Sequence, residues 1–171
     1  KAGTGQGSSN TDGSINTTYT SVNTTAGFSI SKYTGTGSAA TVGHGLGVAP
    51  KMIIVKRLNA DSSNWHVYHT SNGATKDIRL NLTDAVVTTD TWNDTAPTNS
   101  VFSIKTSVDV NASGGTYVAY CFAEKTGYSK FGNYTGTGSS SNFIYTGFKP
   151  AFVMTKCTSN ACLPLLIQDS K

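Results

Sequence analysis

The sequence predicts an all-β fold, an antiparallel β-sandwich of the jelly-roll or Greek-key type. Threonine, valine, isoleucine, tyrosine and phenylalanine dominate the segments between turns rich in glycine, asparagine and aspartate, which is typical of strands. No apolar stripe recurs at helical spacing over ten or more residues, and Glu124 is the only glutamate among 171 residues. Apolar segments lie about ten to twenty residues apart, as the strands of a sandwich do.

The individual strands are predicted from continuous apolar runs or from alternation. Met52–Val55 has four consecutive apolar residues, which predicts a central strand buried on both faces. Tyr117–Ala123 is also apolar on both sides. Elsewhere apolar and polar residues alternate, which predicts strands with one buried face. The alternating sets are Phe28 with Ile30, Trp65 with Val67, Ile78 with Leu80 and Leu82, and Phe102 with Ile104, Thr106, Val108 and Val110.

The chain repeats itself after about a hundred residues. The segment Tyr33-Thr-Gly-Thr-Gly-Ser38 recurs as Tyr134-Thr-Gly-Thr-Gly-Ser139, and each copy leads to a proline and an apolar strand. Pro50 and Pro150 stand 100 positions apart and the two tyrosines 101, so the copies differ by one loop residue. A unit of this length exceeds the roughly 20–50 residues of solenoid repeats, so each copy is expected to be a small globular domain or a large part of one.

This repeat divides the chain into three predicted parts. Residues 1–26 are almost wholly glycine, serine, threonine, asparagine and alanine, so we expect a linker or an arm that orders on a neighbour. Residues 27–126 are predicted to form one sandwich unit, beginning near Phe28, and residues 127–171 the start of a second, incomplete unit. A sheet that lacks its later strands exposes backbone and apolar groups. Either the chain is a piece of a longer polypeptide, or a neighbouring subunit supplies the missing strands.

Composition argues against two classes of partner. Only 13% of residues are charged, and the net charge of +4 comes from 13 scattered basic and 9 acidic residues, whereas nucleic-acid binding usually needs a basic cluster. The longest apolar run, Ala161–Ile167, is broken by Pro164 and is far shorter than the ~20 residues of a membrane-spanning helix. We therefore expect neither nucleic-acid binding nor membrane insertion.

Three cysteines leave at least one unpaired. Cys121 lies within an apolar strand and is interpreted as a small core residue. Cys157 and Cys162 could close a short loop, but two cysteines without further ligands make a poor zinc site. The pattern leaves open whether these two form a disulfide.

The remaining polar residues predict no catalytic centre, no cofactor site and no metal site. His66 and His69 point to opposite faces of a strand, so both are interpreted as ordinary surface histidines. His44 lies in a glycine-rich connection that is absent from the second copy, which favours a structural role. The acidic residues mostly occupy turns, and no nucleophile motif is present, so an enzyme is not expected.

Exposed aromatic residues beside asparagine or aspartate are one way to bind sugars. Trp65, Tyr68 and Trp92 stand in such contexts and are the candidate glycan contacts. The alternative is that these aromatic side chains belong to the core, as single aromatics on strands more often do.

Several motifs between residues 27 and 156 form a specific pattern: Gly27-Phe-Ser-Ile30, Tyr33–Ser38, Gly43–Lys56, Asn64-Trp65, Val67-Tyr-His69, Tyr117–Glu124 and the second Tyr-Thr-Gly-Thr-Gly. Together they resemble a β-rich domain of uncharacterised function found in structural proteins of tailed phages. In that family the domain often follows a concanavalin-like lectin domain in tail or tail-fibre polypeptides, and no catalytic or binding residues carry over from it.

The resemblance implies a virion structural protein, in a tail fibre, surface decoration or comparable appendage. We expect it to lie on the virion surface or outside the cell, to act by homo-oligomeric assembly with other virion or appendage proteins, and to contact host-surface glycans. Closed cyclic symmetry such as a trimer would suit a fibre. The alternative is a carbohydrate-binding, lectin-like module, and the third possibility is a subunit of a cellular extracellular filament.

Overall fold

The computed structural model describes residues 2–162 and the backbone of residues 165–168. In that part of the chain the fold is almost entirely β, as predicted. The elements are β1 (Tyr19–Asn23), β2 (Phe28–Thr34), β3 (Ala40–Gly43), β4 (Met52–Arg57), β5 (Trp65–His69), β6 (Lys76–Arg79), β7 (Val87–Thr88), β8 (Val101–Ile104), α1 (Val108–Asn111), β9 (Thr116–Phe122), β10 (Phe152–Thr155) and β11 (Leu165–Gln168).

The main structure is a seven-stranded antiparallel sheet in the order β1-β2-β9-β4-β5-β6-β7. Strand β9 lies between β2 and β4 and pairs with both. The last strand of the first unit therefore links β2 to β4 within the sheet. Strands β3 and β8 form a smaller antiparallel pair, and β10 pairs with β11. Met52–Val55 is buried throughout within β4, which confirms the central strand predicted from its apolar run.

One side of the seven-stranded sheet, here called the inner face, packs against the β3–β8 pair. Side chains of β2, β4, β5 and β9 meet those of β3 and β8 in one buried cluster. Tyr33 and Tyr117 stack in this core with ring centroids 5.2 Å apart. The Tyr33 hydroxyl donates a hydrogen bond of 2.7 Å to the Val110 carbonyl. The two layers confirm the predicted sandwich.

The first copy of the repeated Tyr-Thr-Gly-Thr-Gly-Ser motif is held in place by Asn111. This side chain is fully buried, and its amide donates hydrogen bonds of 2.6 Å to the carbonyls of Ser38 and Lys105. Its carbonyl accepts a hydrogen bond of 2.8 Å from the Thr36 N–H. The backbone also approaches closely at Gly35, where a Cβ atom would lie 2.4 Å from the Ala112 carbonyl oxygen. The motif is thus a loop clamped by the end of α1.

The opposite side of the sheet, the outer face, is partly covered by the beginning of the second unit. Met52, Ile54, Val67 and Ile78 form a second buried cluster on this face, and Phe131 and Met154 are among the residues packed against it.

The N-terminal segment differs from the predicted linker or arm. Strand β1 pairs with β2 along its whole length, and Ile15 is buried in the core of the same sandwich. Hydroxyl groups replace apolar burial here: Thr20 Oγ1 lies 2.9 Å from Ser31 Oγ, and both residues are buried. The low apolar content of residues 1–26 therefore gave no sign of a strand, because the buried groups of this strand are hydroxyls that hydrogen-bond with one another.

Two predicted strands are shorter than their alternation indicated. The β8 strand ends at Ile104, and Val108–Asn111 forms one helical turn in which Val108 is exposed and Val110 buried. Strand β6 ends at Arg79, so Leu80 and Leu82 lie in the following turn. Apolar residues at every second position occur in a continuous strand, but they also occur where a turn buries single side chains. The sequence pattern does not distinguish the two cases.

Candidate functional site

The second unit exposes a group of large apolar side chains, here called the second-unit surface: Tyr134, Phe143, Ile144, Tyr145 and Phe152. Phe143 is 83% exposed and Tyr145 is 79% exposed. No charged residue occurs between positions 134 and 148. Phe143, Ile144 and Tyr145 are consecutive in the sequence, and exposed apolar side chains that lie together usually mark a place where another molecule binds.

The first unit shows what covers the equivalent positions. Tyr33 is fully buried and Met52 is buried, whereas their counterparts Tyr134 and Phe152 are 52% and 59% exposed. Asn111 clamps the first motif from more than 70 positions further along the chain, whereas the side-chain hydrogen bonds of the second motif, among the described residues, come from residues at most seven positions away. Tyr134 therefore lacks the enclosure that buries Tyr33.

The hairpin formed by β10 and β11 is the counterpart of the β4–β5 hairpin. Met52 pairs with His69 in the first unit, 17 positions on (69 − 52), and Phe152 pairs with Gln168 in the second, 16 positions on (168 − 152), so the second connection is one residue shorter. Strand β4 also pairs with β9 along its other edge, whereas β10 pairs only with β11 among the described residues. The outer edge of β10 thus offers unpaired backbone groups to a further strand.

The three candidate glycan contacts fall into two groups. Tyr68 and Trp92 are buried in the inner core, where their rings meet edge to face at 6.1 Å, so neither is available to a sugar. Trp65 is 37% exposed on the outer face. Of the predicted contacts, only Trp65 can reach a ligand in solution.

Trp65 has neighbours that the sequence did not bring together. Its ring stacks with that of Tyr120 at a centroid distance of 6.4 Å and an interplanar angle of 18°. The Asn81 side chain accepts a hydrogen bond of 2.9 Å from the Trp65 N–H, and its amide donates one of 2.9 Å to the Asn64 side chain. This outer-face group of two aromatic rings and two amides depends on the order β9-β4-β5-β6, which alternation within single strands does not reveal.

A model of the family described as Domain of unknown function (DUF7483) matches residues 1–171. The chain belongs to this family. Comparison with curated proteins and with solved structures found no match. In this DUF7483 chain, the features that bear on function are the exposed surfaces and the buried polar groups.

His66, predicted to be an ordinary surface histidine, is buried. It lies on the inner face of β5, where its Nδ1 is 2.7 Å from Asp77 Oδ2 and its Nε2 is 3.3 Å from Asp109 Oδ2. Asp77 belongs to β6 and Asp109 to α1, so the imidazole ties the helical turn to the sheet. His69 lies on the other face, as strand alternation requires, and packs against Phe131 at 6.4 Å. The arrangement is a structural contact between elements of the DUF7483 fold.

His44 is fully buried and uses both ring nitrogens. Its Nε2 lies 3.2 Å from the Thr98 carbonyl, and its Nδ1 accepts a hydrogen bond of 3.2 Å from the Leu46 N–H. Both contacts require the neutral ring with the proton on Nε2. Burial lowers the pKa of His44, and the hydrogen bond to Thr98 opposes this in part.

Two other kinds of site are absent from the described residues. No group of three or more His, Cys, Asp or Glu side chains in residues 2–162 is arranged to hold a metal ion. None of the helices in the described part of the chain has the length and apolar character needed to cross a membrane.

Proposed function

We propose that this chain is a structural subunit of a virion, in a tail fibre or surface appendage of a tailed phage, and that it acts by homo-oligomeric assembly. The observation that carries the proposal is the second-unit surface, whose residues are exposed where the equivalent residues of the first unit are buried. The resemblance to domains of phage tail proteins supports the same assignment, as does a polar surface with few charges.

Burial of the second-unit surface against a neighbouring copy is energetically favourable. Fully burying one large apolar side chain contributes about 1.5–3 kcal/mol. Five such side chains, each about half exposed or more, supply enough to offset much of the estimated cost of association, about 4–15 kcal/mol. The open edge of β10 adds backbone hydrogen bonds, by the same strand addition that β9 makes to β4 within the first unit.

Light scattering on the full chain tests the proposal. We expect a discrete oligomer whose dissociation constant rises roughly tenfold or more for Phe143→Asp or Phe152→Asp, since each removes an apolar contact of about 1.5–3 kcal/mol. Leu58→Asp is the matched control, because Leu58 is a comparably exposed apolar residue of the first unit. A monomer at all concentrations, or equal effects from Leu58→Asp and Phe152→Asp, would contradict the proposal.

Electron microscopy separates the virion assignment from a cellular extracellular filament. An antibody against the chain is expected to label tails or surface appendages of native phage particles. Labelling of filaments on cells would instead support the filament.

The second candidate function is carbohydrate binding at the outer face, and Trp65 carries it. The Trp65 and Tyr120 rings form a stacked pair beside the amides of Asn64 and Asn81, and such a combination can stack on a sugar and bind its hydroxyls. A glycan array on the full chain is expected to show binding that Trp65→Ala removes. The exposed aromatic Tyr128 lies outside this group, so Tyr128→Ala is the control. Binding that survives Trp65→Ala would exclude this site.

A further inference from the structure

The connection between β10 and β11 carries two cysteines whose thiol groups meet. Cys157 and Cys162 are free and half-buried, and they lie close enough for each thiol to shift the pKa of the other. The Ser159 hydroxyl lies 3.7 Å from the Cys157 sulfur. The backbone of Ser159 and Asn160 also lowers the pKa of Cys157.

These contacts give the two cysteines different reactivity. The hydrogen bond from Cys162, followed by those from Asn160 and Ser159, lowers the pKa of Cys157 to about 7, and the contact between the thiols raises the pKa of Cys162. At neutral pH Cys157 is partly in the thiolate form, which is the nucleophile in disulfide exchange. Cys121 differs, because it is fully buried and burial raises its pKa to about 12.

The cysteine loop is anchored on the first unit. The Cys162 N–H donates a hydrogen bond of 2.8 Å to the Thr83 carbonyl, and the Thr158 carbonyl accepts one of 3.0 Å from the Val86 N–H. The residues between the two cysteines thus bind the turn that follows β6. Any change that restricts the motion of the cysteine loop therefore also stabilises these hydrogen bonds between the two units.

The equivalent loop of the first unit has no cysteines. There the Lys56 ammonium donates to the Ser63 carbonyl, just as the Lys156 ammonium donates to the Cys162 carbonyl at 3.3 Å. Arg57 occupies the position that corresponds to Cys157. The thiol pair is therefore an addition to a loop geometry that the first unit maintains without it.

We propose that Cys157 and Cys162 form a reversible intrachain disulfide that fastens the second unit to the first, with a small-molecule disulfide such as oxidised glutathione as the oxidant. The Cys157 thiolate attacks one sulfur of the small disulfide, whose S–S bond breaks and releases one small thiolate. Cys162 then loses its proton and attacks the Cys157 sulfur, which forms the protein disulfide and releases the second small thiol. Two protein thiols are oxidised, and one small disulfide is reduced to two thiols.

Mass spectrometry of the full chain in glutathione buffers tests the chemistry. We expect the peptide that spans both cysteines to lose two hydrogens, without a stable glutathione adduct. Cys162→Ser is expected to accumulate the adduct on Cys157, because the resolving thiol is absent. In the wild-type chain, a stable adduct on Cys157, a disulfide between two chains, or two unmodified thiols in oxidised glutathione would each overturn the proposal.

Hydrogen exchange tests the fastening separately, because it compares the oxidised chain with the reduced chain whatever the route by which the disulfide forms. In the oxidised chain we expect the amides of Val86 and Cys162 to exchange about fivefold more slowly, because closure of the loop restricts the opening of their hydrogen bonds. Amides of the first-unit loop, residues 58–64, serve as the internal control and are expected to be unchanged. Equal exchange at Val86 in the oxidised and reduced chains would contradict the proposed fastening.

Discussion

Substituting alanine for Gly35 and for Gly136 compares the two copies of the repeated motif directly. In the first copy the added methyl group would meet the Ala112 carbonyl oxygen at 2.4 Å and the Asn111 carbonyl carbon at 2.9 Å. Both are backbone atoms, so the loop must move by roughly 1 Å to restore ordinary contact. At Gly136 no atom lies within 4 Å of the added methyl group.

The structure gives the size of the expected difference. Overpacking costs about 1–3 kcal/mol. The movement also weakens the hydrogen bond of 3.0 Å from the Gly114 N–H to the Gly35 carbonyl, worth about 1 kcal/mol. Alanine restricts the unfolded chain, which offsets about 0.4–1 kcal/mol. We expect Gly35→Ala to lower the free energy of unfolding by about 2–3 kcal/mol. Gly136→Ala is expected to change it by less than about 0.5 kcal/mol.

Urea denaturation of the dilute, monomeric chain measures both values. If Gly136→Ala destabilises the monomer as much as Gly35→Ala does, the second motif is enclosed like the first, which would contradict its exposure. If neither substitution has an effect, the close approach at Gly35 is wrong. In the assembled state Gly136→Ala is expected to weaken association, because the proposed oligomer encloses the second motif.

Three further outcomes are expected. The pKa of His44 lies below that of the same group in the unfolded chain, so the unfolded state binds more protons between the two values, and the free energy of unfolding falls as the pH drops from about 7 to 5. In urea titrations, His44→Gln should lose less free energy of unfolding over this pH range than the unchanged chain does. An equal loss would mean that other titratable groups cause the pH dependence. Tyr33→Phe leaves a buried carbonyl without its donor and should cost about 1–2 kcal/mol in the same assay, whereas Tyr134→Phe should cost almost nothing. Trp92→Ala should cost about 3–5 kcal/mol and Trp65→Ala less, because Trp65 is 37% exposed and Trp92 only 1%; a reversed order would contradict their burial.

The sequence predicted those features that depend on local apolar patterning. The fold class, the central position of β4 and the opposite faces of His66 and His69 all follow from composition and from strand alternation. The β1 strand could not be predicted in this way, because its burial relies on hydroxyl groups from β2. The burial of His66 likewise depends on Asp77 and Asp109, which only the folded chain brings near it.

The candidate surfaces also include features that the sequence predicts and features that only the folded arrangement of the strands determines. Exposure of Trp65 and burial of Trp92 could not be assigned from their neighbours in sequence, since both stand beside asparagine. The partnership of Trp65 with Tyr120 depends on strand order. The repeat, by contrast, could be recognised from the identical residues of its two motifs.

The buried hydroxyl groups that hold the N-terminal segment form a chain with a direction. The Ser31 hydroxyl donates to the Gly43 carbonyl at 3.1 Å, so its oxygen must accept from Thr20 at 2.9 Å. Thr20 must then accept from Thr17 at 3.0 Å, because each hydroxyl has only one proton to donate. The Asn10 N–H completes the series by donating to Thr17 at 2.8 Å. Every proton in the series thus points the same way, from the N-terminal segment to the end of β3. Since aligned hydrogen bonds polarise one another, replacing Thr20 with valine would interrupt the entire series rather than a single contact.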